Sequence, residues 1–298
     1  MLVKQTPACI RCLAERQLAR CPSDSPPALQ TEFMRRTLKI IADAPLCASA
    51  PELVAEIDAV RVELFGSLED YSSVKSHFNR LMLSLEPELW RTICDSSDPL
   101  GTALGLSMTG NYIDFGAMHS VDEHKLRELL AKAPKAAFDS AALESLRNEL
   151  SASKHMAFLT DNCGEIVLDK LLISTIRRLF PALEITAIVR GANAVNDATL
   201  EDAAEVGLDK LVPVIGNGSN IAGTCIDRLS AEARRTLDDA ELIIAKGQGN
   251  FETLYGCQKN IHYIFMCKCQ MFADRFGVER FQGMLLRERG LKNFIELG

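Results

Sequence analysis

From Lys154 onward the chain repeats one unit: a short apolar run, a turn-forming cluster, a segment long enough to cross over, then another apolar run. The runs are MAFLT, ITAIVR, LVPVIG, ELIIAKG and HYIFM. Between them lie GEIVLDKLLISTIRRLF, ATLEDAAEVG, LSAEARRTLDDA and NFETLYGC, several with apolar residues at helical spacing. Parallel strands cannot be joined by tight hairpins, so runs linked in this way predict a mostly parallel sheet covered by helices. Upstream the rhythm differs. From Thr31 to about Ser153, the segments TEFMRRTLKIIADA, PELVAEIDAVRVELFG, YSSVKSHFNRLMLSL and DEHKLRELLAKA place apolar residues three or four apart, as amphipathic helices do. Pro51 suits the first turn of its helix, and Ser140 is a candidate cap for AALESLRNELS. The expectation is a doubly wound α/β core over 154–298, with a mainly helical N-terminal domain over 1–153 as lid or pocket wall.

The 298 residues, 47% hydrophobic and 24% charged, suffice for an ordinary globular core. A net charge of −7 and a pI near 5.4 argue against a nucleic-acid binder, which usually carries a basic patch. No apolar run approaches the ~18 residues of a membrane-spanning helix. The first residues, MLVKQTPACIRCLAERQ, lack the apolar centre of a secretory signal. Ten cysteines are too sparse for a secreted disulfide scaffold. These features together predict a cytoplasmic location.

In parallel sheets, ligands bind beyond the carboxyl ends of the strands. The first run ends in Asp161-Asn162-Cys163-Gly164-Glu165, where Gly164 permits a tight turn and the following helix start offers N–H groups to an anion. The second ends in Arg190-Gly191-Ala192-Asn193, with Asn196-Asp197 before the next helix. The third ends in Gly216-Asn217-Gly218-Ser219-Asn220, and the fourth in Lys246-Gly247-Gln248-Gly249-Asn250-Phe251-Glu252. Oxygen ligands suit Mg²⁺ or Mn²⁺ better than zinc, glycines let backbone approach a phosphate, and Lys246 can neutralise its charge. Each piece has a bland alternative. Asn-Asp before a helix can be a simple cap, GNGSN an ordinary loop, and Lys246 a solvated strand end. Their coincidence on one rim points to a metal and phosphate site.

With these residues assembled, the chain resembles the metal-dependent damage-control phosphatase family. The matching segments are DNCGEIVLD (161–169), VRGANAVNDAT (189–199), GNG…GT (216–224), KGQGNFETL (246–254), GNYIDFG (110–116) and DYSSVKSHFN (70–79). The resemblance implies a Rossmann-like α/β/α core behind a helical N-terminal region, and phosphatase activity on a small phosphorylated metabolite. It implies a divalent cofactor (Mn, Mg, Co or Ni) on Asp161, Asn162 and Asp197, and a phosphoryl group held by Lys246. Asn111, Asp114, Arg190, Asn193, Gly216, Asn217, Gly247, Asn250 and Glu252 become candidates for the substrate pocket. Cys163 stands where the family usually has Ala. Asp161 is either nucleophile or metal ligand only. Glu165 and Asp169, four apart, share a helix face. Glu165 is expected either to orient the metal shell or simply to favour the helix start, and Asp169 to pair with a neighbouring base.

Cys9 and Cys12 form a CxxC, and Cys267 and Cys269 a CxC; all four could unite on a structural zinc, or remain buried thiols. None of His77, His119, His124, His155 and His262 has zincin spacing, and Met108 and Met118 read as core. Two rival functions are an S-adenosylmethionine-dependent carboxyl methyltransferase and a non-catalytic phosphate-binding module.

Overall fold

The computed structural model describes residues 4–115, 121–135 and 138–291, so Gly116, Met118 and His119 lie outside the described residues. Its centre is a six-stranded sheet of order β3-β2-β1-β4-β5-β6. The strands are β1 His155–Leu159, β2 Glu184–Val189, β3 Val214–Gly216, β4 Leu242–Lys246, β5 Ile261–Met266 and β6 Gly283–Arg287. The first five are parallel, as the crossover spacing predicts, and β6 returns antiparallel to β5. The GMLLR of β6 was not anticipated, because one short run at the end of a chain carries no period of its own.

Among the described residues there are twelve α-helices. The first three are α1 Pro7–Ala19, α2 Pro27–Asp43 and α3 Ala50–Phe65; then come α4 Ser72–Asp95, α5 Pro99–Gly110, α6 Glu123–Lys132 and α7 Ser140–Ala152. Between and after the strands run α8 Glu165–Leu179, α9 Leu200–Glu205, α10 Ala231–Asp239, α11 Gln248–Leu254 and α12 Gln270–Phe276. Strand alternation sorts the core into two layers. Met156, Phe158, Leu242 and Ile244 pack with residues of α4 to α9, whereas Ala157, Leu159, Ile243 and Ala245 pack with α10, α11 and α12. Crossovers on opposite faces on the two sides of β1 and β4 make the sheet doubly wound.

The helix signals worked locally. Pro51 lies in the first turn of α3, whose N-cap Ser49 forms a capping box with Glu52. The cap of α7 is Asp139, which accepts the Ala142 N–H at 2.8 Å, so Ser140 is the first helical residue and not the cap. Helix α5, PLGTALGLSMTG, escaped periodicity because it has no polar face: it is buried all round and packs along α8. The hydrophobic clusters do not follow a boundary at 153/154. Leu13, Phe33, Ile41, Leu53, Ile57 and Val60 give α1 to α3 a core of their own, while α4 to α7 share theirs with the sheet.

At the start of β5, His262 is fully buried with Nε2 3.3 Å from Glu149 of α7, and Arg287 and Asn260 converge on the same carboxylate. Burial lowers the His262 pKa from 6.5, against the pull of Glu149. The folded state therefore binds a proton here less readily than the unfolded chain. Its stability contribution is complete above pH 6.5 and is lost as pH falls toward and through the lowered folded value. Thermal melts below pH 6.5 should show the wild type losing stability faster than His262→Gln; parallel curves would contradict this.

Candidate active site

β1 and β4 are neighbours whose crossovers leave on opposite faces, which opens a crevice at their carboxyl ends. There the chain after β1 runs antiparallel to the loop before α9. Cys163 N–H donates to Asn196 O at 2.9 Å, Ala198 N–H donates to Asp161 O at 2.7 Å, and Asn162 bridges Asp197. This lacing sets Asp161, Asn162 and Asp197 side by side. Asp197 is thus not the helix cap that its place before α9 allows; Thr199 caps that helix with Asp202. Gly247, at φ 84°, roofs the site so closely that a Cβ there would lie 1.9 Å from Asp161 Oδ2. Only glycine fits.

Asp161 and Asp197 are 6% and 4% exposed. Between them lies the buried guanidinium of Arg190, whose Nε donates to Asp197 Oδ2 at 2.6 Å and Nη2 to Asp161 Oδ1 at 3.3 Å. Burial, then the nearby charges of Asp197 and Glu165, raises the Asp161 pKa well above the carboxylate range. Burial likewise raises Asp197 to about 6, with Arg190 opposing.

One layer deeper sits Lys246. Its Nζ donates to Glu165 Oε1 at 2.6 Å, Asp169 Oδ1 at 2.7 Å and Ser107 O at 3.0 Å, all within a fully buried set. Burial opposes the ammonium charge, yet Asp169 and Glu165 hold the Lys246 pKa above its ordinary value. Lys246 is therefore neither a solvated strand end nor poised as a phosphoryl anchor, because its three N–H donors are spent. Glu165 and Asp169 do share a helix face, and the base that Asp169 meets comes from β4 and not from its own helix. The start of α8 is not an open anion site either. Gly164 N–H goes to Asn79 Oδ1 at 2.7 Å, Ile166 N–H to Asn162 O at 3.1 Å, and the Glu165 carboxylate fills the first turn.

The expected pocket residues divide. Asn111 is a buried strut: its Nδ2 donates to Asp161 Oδ2 and Glu165 Oε2, both at 2.9 Å, and its Oδ1 accepts Met266 N–H at 3.0 Å. Asn250 ties Arg190 to Thr160 O and Lys246 O from inside the core. Buried Asn217 receives Gly191 N–H at 2.9 Å, and Gly191 lies so near Gly218 that GNGSN serves as a loop brace; Gly216 belongs to β3 itself. Nearer the surface are Asp114, 2.6 Å from Lys268 Nζ; exposed Asn193, met by Lys75 at 3.4 Å; and Glu252, met by Gln248 at 2.6 Å. Burial pushes the Glu252 pKa up to about 7. Residues to which the sequence reading gave no role are Ser107, Asn79, Asn196, Thr224 and Lys268. Asn79 and Asn196 lay inside matched segments, but only the fold shows what they hold. A hollow of about 530 Å³ beside α2 and α3, lined in part by Arg36, Lys39, Glu52 and Arg228, contains none of these groups.

Among the described residues, no group of three or more His, Cys, Asp or Glu is arranged to hold a metal ion. The four-cysteine zinc site is thus not formed. Cys12 is exposed, Cys9 meets Thr6 Oγ1 at 3.3 Å, buried Cys267 points at Cys269 O at 3.8 Å, and all ten cysteines are free thiols. Cys163 is also buried, and burial pushes its thiol pKa up, away from a reactive thiolate.

Fold and site define a doubly wound α/β protein with an acidic, amide-lined centre at its switch point. The chain belongs to the damage-control phosphatase family: residues 5–283 match the damage-control phosphatase ARMT1-like domain. A damage-control phosphatase of Archaeoglobus fulgidus is 33% identical over 285 residues, covering 93% of this chain and 96% of that protein. A damage-control phosphatase of Pyrococcus horikoshii is 34% identical over 179 residues, 60% of this chain and 61% of its own. The crystal structure of a duf89 family protein from Pyrococcus horikoshii matches with a TM-score of 0.80 at 26% identity, covering 97% of this chain and 99% of that one. Membership supports a phosphatase role.

Lys246→Met would strand Glu165 and Asp169 as buried carboxylates without a counter-ion. It should cost about 3–5 kcal/mol of stability, read as a lower urea midpoint at unchanged slope. Near wild-type stability would mean that Lys246 is not the structural counter-ion and would revive the phosphoryl-anchor role.

Proposed function

We propose that this chain is a divalent-metal-dependent phosphomonoester hydrolase, acting in the cytoplasm on a small phosphorylated metabolite such as a sugar phosphate or a phosphorylated cofactor fragment. The observation that carries this reading is the imbalance at the switch point. Asp161, Asp197, Glu165 and Asp169 are buried together against only Arg190 and Lys246. Ionised together, they leave two negative charges over, which one divalent cation would balance and which, without one, burial relieves by raising the Asp161 and Asp197 pKa values. The donors fit. Asp197 Oδ1 and Asn162 Oδ1 accept no hydrogen bond from any described residue. With Asp161 they form a hard-oxygen set of the kind that holds Mg²⁺ or Mn²⁺ through one or two carboxylates and shares the ion with substrate phosphate.

A divalent ion held there would polarise a phosphoryl oxygen and stabilise charge developing as the ester bond breaks. The chain's own part is to fix the ligands. Arg190 spaces the two aspartates, Asn111 and Asn162 hold Asp161 Oδ2, and Gly247 excludes a side chain from above Asp161. Exposed Asn193 and half-buried Asp114 and Glu252 offer polar contacts to the rest of a phosphorylated metabolite. No described helix is long and apolar enough to cross a membrane. The methyltransferase reading gains nothing here, because β1 ends in two metal-type oxygen donors and not in a glycine-rich loop.

Metal-stripped protein should release no phosphate from a panel of sugar and cofactor phosphates, and adding Mn²⁺, Mg²⁺, Co²⁺ or Ni²⁺ should restore release. Asp161→Asn and Asp197→Asn should each lower turnover by at least roughly 100-fold, the scale of losing one preorganised electrostatic contact. Full activity in the stripped protein would sink the metal assignment.

A further inference from the structure

A carboxamide is an ambiguous ligand: turned one way it offers a cation its oxygen, turned the other its NH₂. Asn162 is the one member of the proposed ligand set with this ambiguity, and at 1% exposure water cannot settle it. Its Nδ2 donates to Asp161 Oδ2 at 2.7 Å and to Glu165 Oε2 at 3.0 Å, and its backbone N–H reaches the same Glu165 oxygen at 3.4 Å. Carboxylate oxygens only accept, so the nitrogen faces them and Oδ1 faces away, free of any hydrogen bond from a described residue.

Of the two acceptors, Asp161 belongs to the ligand set and is a poorer acceptor once its charge is shared with a cation. Glu165 is outside that set. It lies fully buried in the first turn of α8, and both its oxygens are pinned. Lys246 holds Oε1 at 2.6 Å, while Asn111 and Asn162 hold Oε2 at 2.9 and 3.0 Å. We propose that Glu165, fixed by Lys246, is a positioning residue that locks the Asn162 carboxamide with its oxygen toward the cation. This rests on the metal-site reading above. It also gives the buried Lys246 a role that leaves the phosphate to other groups: the lysine aims Glu165, and Glu165 aims Asn162.

Glutamine at position 165 keeps the size but turns one acceptor into a donor, which would welcome Asn162 flipped with its NH₂ toward the cation. The test is a titration of metal-free protein with MnCl₂, with free Mn²⁺ followed by electron paramagnetic resonance. Glu165→Gln should weaken Mn²⁺ binding at least about 10-fold. Part of any loss could come from charge alone, so the decisive step is a double-mutant cycle with Asn162→Asp, whose carboxylate presents an oxygen in either orientation. In that background Glu165→Gln should change Mn²⁺ affinity less than about threefold, or tighten it by relieving repulsion. Equal losses in both backgrounds, or no loss in the first, overturn the proposal. Asp197→Asn is the control for the underlying reading: unchanged Mn²⁺ affinity there would remove the metal site itself, whereas its loss together with a flat Glu165 cycle removes only this inference. Should Glu165→Gln fail to fold, Glu165→Asp, which keeps the charge but draws the acceptor back from Asn162, is taken through the same cycle with the same expected direction.

Discussion

A charged lysine with no access to water is the constraint on which the rest of the site depends. Removing an ammonium group from water costs several kcal/mol even after relaxation, and only close partners on every donor offset that cost. Lys246 finds them in Glu165 and Asp169 of α8 and the Ser107 carbonyl of α5. Three elements from distant parts of the chain must therefore meet at one atom for the core to close. The sheet supplies the lysine, the crossover helix supplies the acids, and the helical half supplies the carbonyl and, through Asn111, the strut above them.

The same arrangement makes the candidate centre a stack of charged levels separated by amides. Lys246 is below, Glu165 and Asp169 rest on it, amides from Asn111 and Asn162 come next, and Asp161 and Asp197 lie above with Arg190 between. Each level orients the one above through hydrogen bonds to ionised groups, the stronger kind. Side chains fixed in this way have few alternative rotamers, so the uppermost oxygens are set before any ligand arrives.

Much of this architecture was readable from periodicity. The five parallel strands, their crossovers and the rim where Asp161, Arg190, Asn217 and Lys246 gather followed from run lengths and strand-end residues alone. The i, i+4 spacing of Glu165 and Asp169 showed that they share a face. What they face was hidden, because the partner is 77 residues away. Residue type misled where burial decides the role: Lys246 looked like a phosphate hook and Asn111 like a pocket wall, yet both are interior struts. Helix α5 left no period since every side of it is covered, and β6 left none since a lone antiparallel return has no crossover before it. The thiols could not be assigned either, because spacing in sequence says nothing about whether two pairs meet.

The helical half is therefore part of the site and not merely a cover over it. Asn79 of α4 takes the Gly164 N–H, Asn111 at the end of α5 spans from Asp161 to the β5 backbone, and Asn196 holds the 113–115 segment by Ile113 O and Phe115 N–H. A Cβ at Gly164 would lie 2.9 Å from both Phe78 Cβ and Ile113 Cδ1, so a side chain there would push both away. A shift of α4 or α5 would thus reach the Asp161 carboxyl through hydrogen bonds of ordinary length, without any change in the sheet.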